Sequence, residues 1–342
     1  MEQKGILLVN LGSPDSADLK DVKRYLDEFL MDERVIDLPY WKRFLLVKGI
    51  ILNTRPKRSA KAYQKIWRQD GSPLIIFSEK FRKKLAVKLS VPVALGMRYG
   101  SMSIRKAMQE LAENGVNQVF LIPLYPHYAM SSYETVVAKT MEVKNQYFPE
   151  FSIDVLPPFY NNKLYISSLT NLVKEQSGMA DFDHLLFSFH GIPERHIYKT
   201  DPTHSHCKID DSCCRTGSVA HKTCYRHQCF ETAEAVVRSL DLPQEKYSIA
   251  FQSRLLKDPW LKPYTDRKIT DLARSGVKRL AVLAPSFVTD CLETLEEINI
   301  EGKRIFKEAG GEDFIYIPCL NYRDDWVETV DQWVIEWLNE SK

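Results

Sequence analysis

The chain has 342 residues, 44% of them hydrophobic, with 47 Lys and Arg against 45 Asp and Glu and a formal net charge of +2. That is chain enough for a large core, and the near-balanced charge excludes nucleic acid as a partner, because phosphate binding draws on a clustered basic excess. No apolar run approaches the ~20 residues of a membrane-spanning helix, and the first residues show neither a secretory nor a transit pattern, so a cytoplasmic protein is expected.

Residues 5–10 read as a buried strand, with 11–15 as the loop leaving its C-terminal end. A helical pattern covers 18–31. Next comes an apolar stretch, 40–52, that contains Tyr40, Trp41, Phe44 and Leu45 and is bracketed by Arg55, Lys57 and Arg58. With its basic flanks (about 40–58 in all) it reads either as a lip touching a membrane or a greasy ligand, or as an ordinary core-facing helix. Strands are expected at 91–97, 118–123 and 151–156 with helices between them, which makes a βα series and a mostly parallel sheet.

The second half repeats the plan, with strands expected at 183–189, 247–252, 278–284 and 313–317. Leu111-Ala112-Glu113-Asn114-Gly115-Val116 leads into a strand and Pro123, much as Leu272-Ala273-Arg274-Ser275-Gly276-Val277 leads into a strand and Pro285. Each copy then reaches a Glu-Thr pair, Glu134-Thr135 and Glu293-Thr294. The expectation is two similar α/β domains, 1–160 and 161–320, facing each other across a cleft. A final helix, 324–338 within a tail of 321–342, carries Trp326, Val330, Trp333, Val334 and Leu338 at helical spacing and packs back on the body.

Chemistry collects at strand ends. The apolar run 185–189 goes straight into His190, Gly191, Ile192 and Pro193. Ligands of open α/β sheets bind beyond the carboxyl ends of the strands. His190 therefore stands where a residue titrating near neutral pH can act; the alternative is a histidine merely hydrogen-bonded at a strand terminus. After the seventh strand, Glu293, Glu297 and Glu301 recur every four residues and line one helix face, while Leu292, Leu295 and Ile298 supply a separate apolar stripe. Such a row suits a path for a hard cation or for protons, or is a solvated face. Five of the seven cysteines, Cys207, Cys213, Cys214, Cys224 and Cys229, fall in the insert 201–229. In a chain of this size metal or cluster ligation is expected over disulfides.

Taken together these segments resemble the ferrochelatases, enzymes that insert ferrous iron into a porphyrin to make heme. The resemblance is carried by Phe187-Ser188-Phe189-His190-Gly191-Ile192-Pro193-Glu194-Arg195, by Phe251-Gln252-Ser253-Arg254 with Pro259-Trp260-Leu261-Lys262-Pro263, and by Phe287-Val288-Thr289-Asp290-Cys291-Leu292-Glu293-Thr294-Leu295. Leu8-Val9-Asn10-Leu11-Gly12-Ser13-Pro14, Arg98-Tyr99 and Tyr125-Pro126-His127-Tyr128 support it across nearly the whole chain. It implies two Rossmann-like domains with the porphyrin cleft between them, and protoporphyrin IX and Fe2+ as substrates with two protons released. His190 would be the active-site histidine, either binding metal or accepting pyrrole protons, and Glu293 its facing carboxylate. Glu297 and Glu301 would continue the metal path, and Leu11, Arg98, Tyr99, Tyr125, Ser131 and Trp260 would line the porphyrin. One departure stands out: many members carry a histidine where this chain has Cys291.

Some bacterial ferrochelatases resemble this chain in holding a [2Fe-2S] cluster within an internal segment. Four thiolates suffice, so one of the five cysteines is spare; zinc and free thiols are the alternatives, and His204, His206, His221 and His227 are further donors. Two other functions stay open: coproporphyrin III or cobalt as substrate on the same fold, and a non-enzymatic porphyrin- or iron-responsive binding protein. Peripheral contact with the inner face of a membrane is expected from the 40–58 lip, and the sequence leaves the oligomeric state open.

Overall fold

The computed structural model describes residues 3–177, 182–210, 212–255 and 258–340. Its chain divides into two compact units: Met1–Leu124, Met130–Pro157 and Asn321–Lys342 make one, Tyr125–Ala129 and Pro158–Leu320 the other.

The first unit holds a parallel sheet of β1 (Lys4–Gly12), β2 (Val93–Tyr99), β3 (Gln118–Pro123) and β4 (Ser152–Val155) in the order β2-β1-β3-β4. Ile6, Leu7, Leu8 and Val9 are all fully buried. A strand without polar alternation can be satisfied only where helices cover both faces of the sheet. Helices Leu19–Leu30, Pro73–Lys88, Ile104–Glu113 and Thr135–Tyr147 lie between these strands in the chain. Glycine is required at Gly12, where φ is +106° and an added Cβ would sit 2.0 Å from the Tyr99 carbonyl. The final helix, Asp324–Glu340, belongs to this unit. Trp326 stacks on Phe81 at 5.7 Å and Trp337 on Phe120 at 5.0 Å.

The stretch after residue 39 is helical but irregular: α-helix Tyr40–Phe44, π-helix Leu45–Ile51, then Leu52–Thr54. Val47, Ile51 and Leu52 are buried, while Trp41 is 61% and Leu45 60% exposed. The segment thus has a core-facing side and an open apolar side.

The second unit repeats the plan with β5 (His184–His190), β6 (Tyr247–Gln252), β7 (Arg279–Leu283) and β8 (Asp313–Ile317), again parallel, in the order β6-β5-β7-β8. All eight expected strands are present, and the matching orders agree with the internal repeat. Leu186, Val282, Ile298, Phe306 and Phe314 are core residues on one side of the sheet, each worth about 1.5–3 kcal/mol of burial. The acidic segment Glu293–Gly302 is a π-helix rather than a regular α-helix. Its i→i+5 bonding widens the turn beyond the 3.6 residues of an α-helix, so carboxylates four apart stay close to one line.

Candidate active site

His190 is the last residue of β5 and pairs with Gln252, the last residue of β6. Its backbone is held from both sides. The amide donates to Ser286 Oγ at 3.1 Å, and the carbonyl accepts from the Tyr225 hydroxyl at 2.7 Å. Tyr225 and Ser286 also share a hydrogen bond of 2.8 Å, closing a small ring of contacts around the strand tip. The imidazole is half-buried and meets the edge of Phe287 at 6.0 Å and 79°.

The next residue ties the tip to β6. Gly191 N–H donates to the Gln252 carbonyl at 2.6 Å. A Cβ at Gly191 would stand 2.8 Å from that oxygen and 2.9 Å from the Ser253 carbonyl, so a side chain here forces backbone apart. Pro193 forms an isolated bridge with Trp260, and Trp260 Nε1 donates to the Leu255 carbonyl at 3.0 Å. The half-buried indole is thereby fixed against the segment that follows His190.

Gln252 and Ser253 then reach the acidic helix. Gln252, 2% exposed, accepts from Ser188 Oγ at 3.0 Å and donates through Nε2 to the Glu293 carbonyl at 3.0 Å. Ser253 adopts a left-handed backbone, φ +61°, and grips Glu297 twice: its amide donates to one carboxylate oxygen at 2.9 Å and its hydroxyl to the other at 2.7 Å. Strain of this kind in a non-glycine residue is held by its surroundings and collects at functional positions. Burial pushes the Glu297 carboxyl up to about 7, the neighbouring charge of Glu293 adds to the rise, and Ser253 opposes it. A carboxylate at that point can both accept and release a proton near neutral pH. Asp290 anchors the start of the segment. It accepts from Thr294 Oγ1 at 3.0 Å, from the Cys319 amide at 3.2 Å and from the Tyr316 hydroxyl. Cys291 beside it is buried, and burial pushes its thiol well up.

His190, Trp260, Glu293 and Glu297 are thus linked within the second unit, with Glu301 half-buried on the same helix and bonded to Arg304 at 2.9 Å. Tyr125, also of this unit, is buried. In the first unit Arg98 and Tyr99 converge on Asp32, which accepts from Arg98 Nη2 at 2.5 Å and from the Tyr99 hydroxyl at 2.8 Å. Tyr99 is 1% exposed and packs against Phe29 at 5.2 Å. Arg98 Nε is also engaged, by Thr135 Oγ1 at 2.8 Å. Leu11 at the end of β1 and Ser131 in the π-helical turn Met130–Glu134 are half-buried. Sequence reasoning quoted Gln252, Ser253 and Asp290 within motifs but gave them no role, and it missed Asp32, Tyr225 and Ser286. The usable signal was that Gln252 and Ser253 occupy a strand end.

All seven cysteines are free and buried. Cys224 is hydrogen-bonded to both Cys207 and Cys214, and Cys213 lies near enough to Cys207 to raise its thiol. Cys229 is hydrogen-bonded to the Tyr225 side chain in the core, and Cys214 lies near enough to raise its thiol further. Burial pushes the Cys207 thiol up to about 11. Among the described residues no group of three or more His, Cys, Asp or Glu side chains stands ready-formed around a metal position. No described helix is long and apolar enough to cross a membrane.

Comparison with known proteins gives concordant results. The model of the Ferrochelatase family matches residues 3–338. A ferrochelatase from Opitutus terrae is 48% identical over 344 residues, covering 100% of this chain and 99% of the relative. One from Ectopseudomonas mendocina is 47% identical, covering 96% of each. Among solved structures, SirB from Bacillus subtilis with Fe3+ superposes with a TM-score of 0.55 at 13% identity, over 98% of this chain and 95% of that one, which speaks for the fold. With the family model spanning almost every residue and such relatives matching end to end, the chain belongs to the ferrochelatase family.

Proposed function

We infer that this chain inserts Fe2+ into protoporphyrin IX, with His190 and Glu297 taking up the two protons that leave the pyrrole nitrogens. The observation that carries this reading is the fastening of His190, Gln252, Ser253 and Glu297 across two adjacent strand tips and the acidic helix. A neutral imidazole nitrogen accepts a pyrrole proton as the metal approaches. Glu297, carboxyl near 7, is the second acceptor, and Glu293 and Glu301 on either side of it along the helix form the route by which iron arrives or protons depart. Trp260, fixed by its indole hydrogen bond, offers an aromatic wall against which the macrocycle is gripped and bent, so that a nitrogen lone pair turns toward the metal. Leu11, Arg98, Tyr99, Tyr125 and Ser131 are proposed as further porphyrin contacts.

The test is anaerobic metal insertion, followed by loss of porphyrin fluorescence, with protoporphyrin IX and coproporphyrin III and with Fe2+ and Co2+ in parallel. The account expects Fe2+ with protoporphyrin IX to be fastest and E297Q to lose at least tenfold in turnover. Preference for coproporphyrin III or cobalt overturns the substrate assignment; wild-type turnover in E297Q overturns the role of that residue. The open apolar side of residues 40–52 favours the greasier porphyrin, and it supports peripheral contact with a membrane surface.

We also propose that Cys207, Cys213, Cys214 and Cys224 hold a [2Fe-2S] cluster, leaving Cys229 as the spare thiol. The donor chemistry supports this: four buried thiols share one loop, with Cys224 hydrogen-bonded to Cys207 and Cys214, and thiols are the donors that a cluster or a zinc ion takes, although the described residues do not hold them ready-formed around a metal position. Such a centre would add a stabilising cross-link to the 201–229 segment. Brown protein with equal iron and sulfide supports the cluster; colourless protein containing zinc replaces it.

A further inference from the structure

Two residues that the chemistry above does not use hold the strand tip carrying His190. Tyr225 opens the helix Tyr225–Leu240, and Ser286 lies in the turn after β7; both are buried. The directions of their hydrogen bonds follow from counting protons. The His190 carbonyl can only accept, so the 2.7 Å bond uses the one proton of the Tyr225 hydroxyl. Ser286 is then the donor in its 2.8 Å bond with Tyr225, while its oxygen accepts the His190 amide at 3.1 Å. The bonds run in one sense around a closed ring that begins and ends on the backbone of His190, and each strengthens the next. Burial pushes the Tyr225 hydroxyl well above its ordinary value, so the phenol keeps the proton that the ring needs. The His127 imidazole meets the phenol edge-on at 5.8 Å and 78° and fixes its plane. Ser286 leads directly into Phe287, whose ring meets the His190 imidazole at 6.0 Å and 79°. The turn after β7 thus seats the backbone of His190 through one residue and its ring through the next.

We propose that Tyr225 and Ser286 are positioning residues for metal insertion, a single unit that holds the His190 imidazole where it meets the pyrrole proton. The inference rests on the reading of His190 as proton acceptor given above. The sheet alone does not fix this residue on both sides. Towards β6 the ladder reaches the tip, with His190 paired to Gln252. Towards β7 the register runs only from His184 to Phe187, three residues short of the tip. The His190 amide and carbonyl, which a longer β7 would pair, go to Ser286 and Tyr225 instead. Two side-chain hydroxyls therefore replace the missing rungs, and they place the tip by their own lengths rather than by ladder geometry. Proton transfer is sensitive to such placement, since donor and acceptor must meet at hydrogen-bond distance and in line.

The test compares Y225F and S286A, each alone, both together, and each combined with H190A, in the full chain. Three quantities are measured: single-turnover Fe2+ insertion into bound protoporphyrin IX, porphyrin affinity by fluorescence, and the melting temperature. Each single variant breaks two of the three bonds in the ring. Insertion is expected to slow about tenfold in either one, with porphyrin affinity within about twofold of wild type. The variant carrying both changes should be no slower than the slower single, because the ring is already open. In the H190A background neither substitution should change the residual rate, since a positioning residue acts only through the group it positions. Loss by the same factor with histidine or alanine at position 190 marks a purely structural role and overturns the proposal. Wild-type insertion in either single variant also overturns it, while leaving the role of His190 intact. Insertion near the wild-type rate in H190A overturns the proposal together with the reading of His190 on which it rests.

Discussion

Replacing Ser253 by alanine isolates the grip on Glu297. The substitution removes the 2.7 Å hydroxyl bond and keeps the 2.9 Å amide bond to the other oxygen. A hydrogen bond to a charged group contributes about 1.5–3 kcal/mol, and one pKa unit corresponds to about 1.4 kcal/mol. S253A should therefore raise the Glu297 carboxyl by roughly one to two units above its wild-type position of about 7. At pH 7 the ionised fraction then falls from about half to between roughly a tenth and a hundredth. The rate of Fe2+ insertion, measured anaerobically from pH 6 to 9 (an assay range of about three units), should show its acid limb displaced upward while the alkaline plateau persists. S253G provides the control, since it relieves the +61° backbone yet lacks the hydroxyl, and it should shift the limb equally. Stability moves in the corresponding sense. A carboxyl raised in the folded chain is stabilising at acid pH and loses that contribution as pH climbs through the folded value; the loss should extend to higher pH in S253A. An unmoved acid limb in both variants would refute the assignment of Glu297 as a proton acceptor.

Further outcomes are expected. G191A should lose about 1–3 kcal/mol of stability and most of its turnover, because the new Cβ meets two backbone carbonyls; a melting curve and turnover matching wild type would contradict the packing account. Buried His127, its ring against Phe189 and Tyr225, is held down to about 3 by burial. The unfolded chain therefore binds a proton that the folded chain does not between pH ~6.5 and ~3. Stability is full above that window and falls by up to about 1.4 kcal/mol per pH unit within it. Urea titrations should show H127Q with a shallower acid slope, and an identical slope would contradict this. W41S together with L45S should reduce co-sedimentation with lipid vesicles while leaving the melting temperature within a degree or so, since both side chains are mostly exposed; unchanged sedimentation would remove the membrane surface from the account.

The sheets were legible in the sequence because every central strand is a continuous apolar run ending in turn residues, as in Leu185 to Phe189 before His190. Runs of this kind need cover on both faces, which specifies the parallel α/β plan. His190 was legible for the same reason: a strand end is visible in one dimension. The grip on Glu297 was not, since Ser253 and Glu297 lie 44 residues apart, and only the pairing of β5 with β6 brings the serine to the helix. The π character of Glu293–Gly302 was hidden as well, because a four-residue carboxylate repeat fits an α-turn and a wider one alike. The engagement of Tyr99 was hidden too, because its partner is remote in the chain. Its hydroxyl donates to Asp32, 67 residues away.

The central claim is that His190, at the tip of β5, takes a proton from the porphyrin as iron enters. Its most direct test is single-turnover Fe2+ insertion by H190A with protoporphyrin IX already bound. The account predicts unimpaired porphyrin binding and insertion slowed at least a hundredfold (about 2.7 kcal/mol in barrier); insertion near the wild-type rate from a fully bound porphyrin would contradict it.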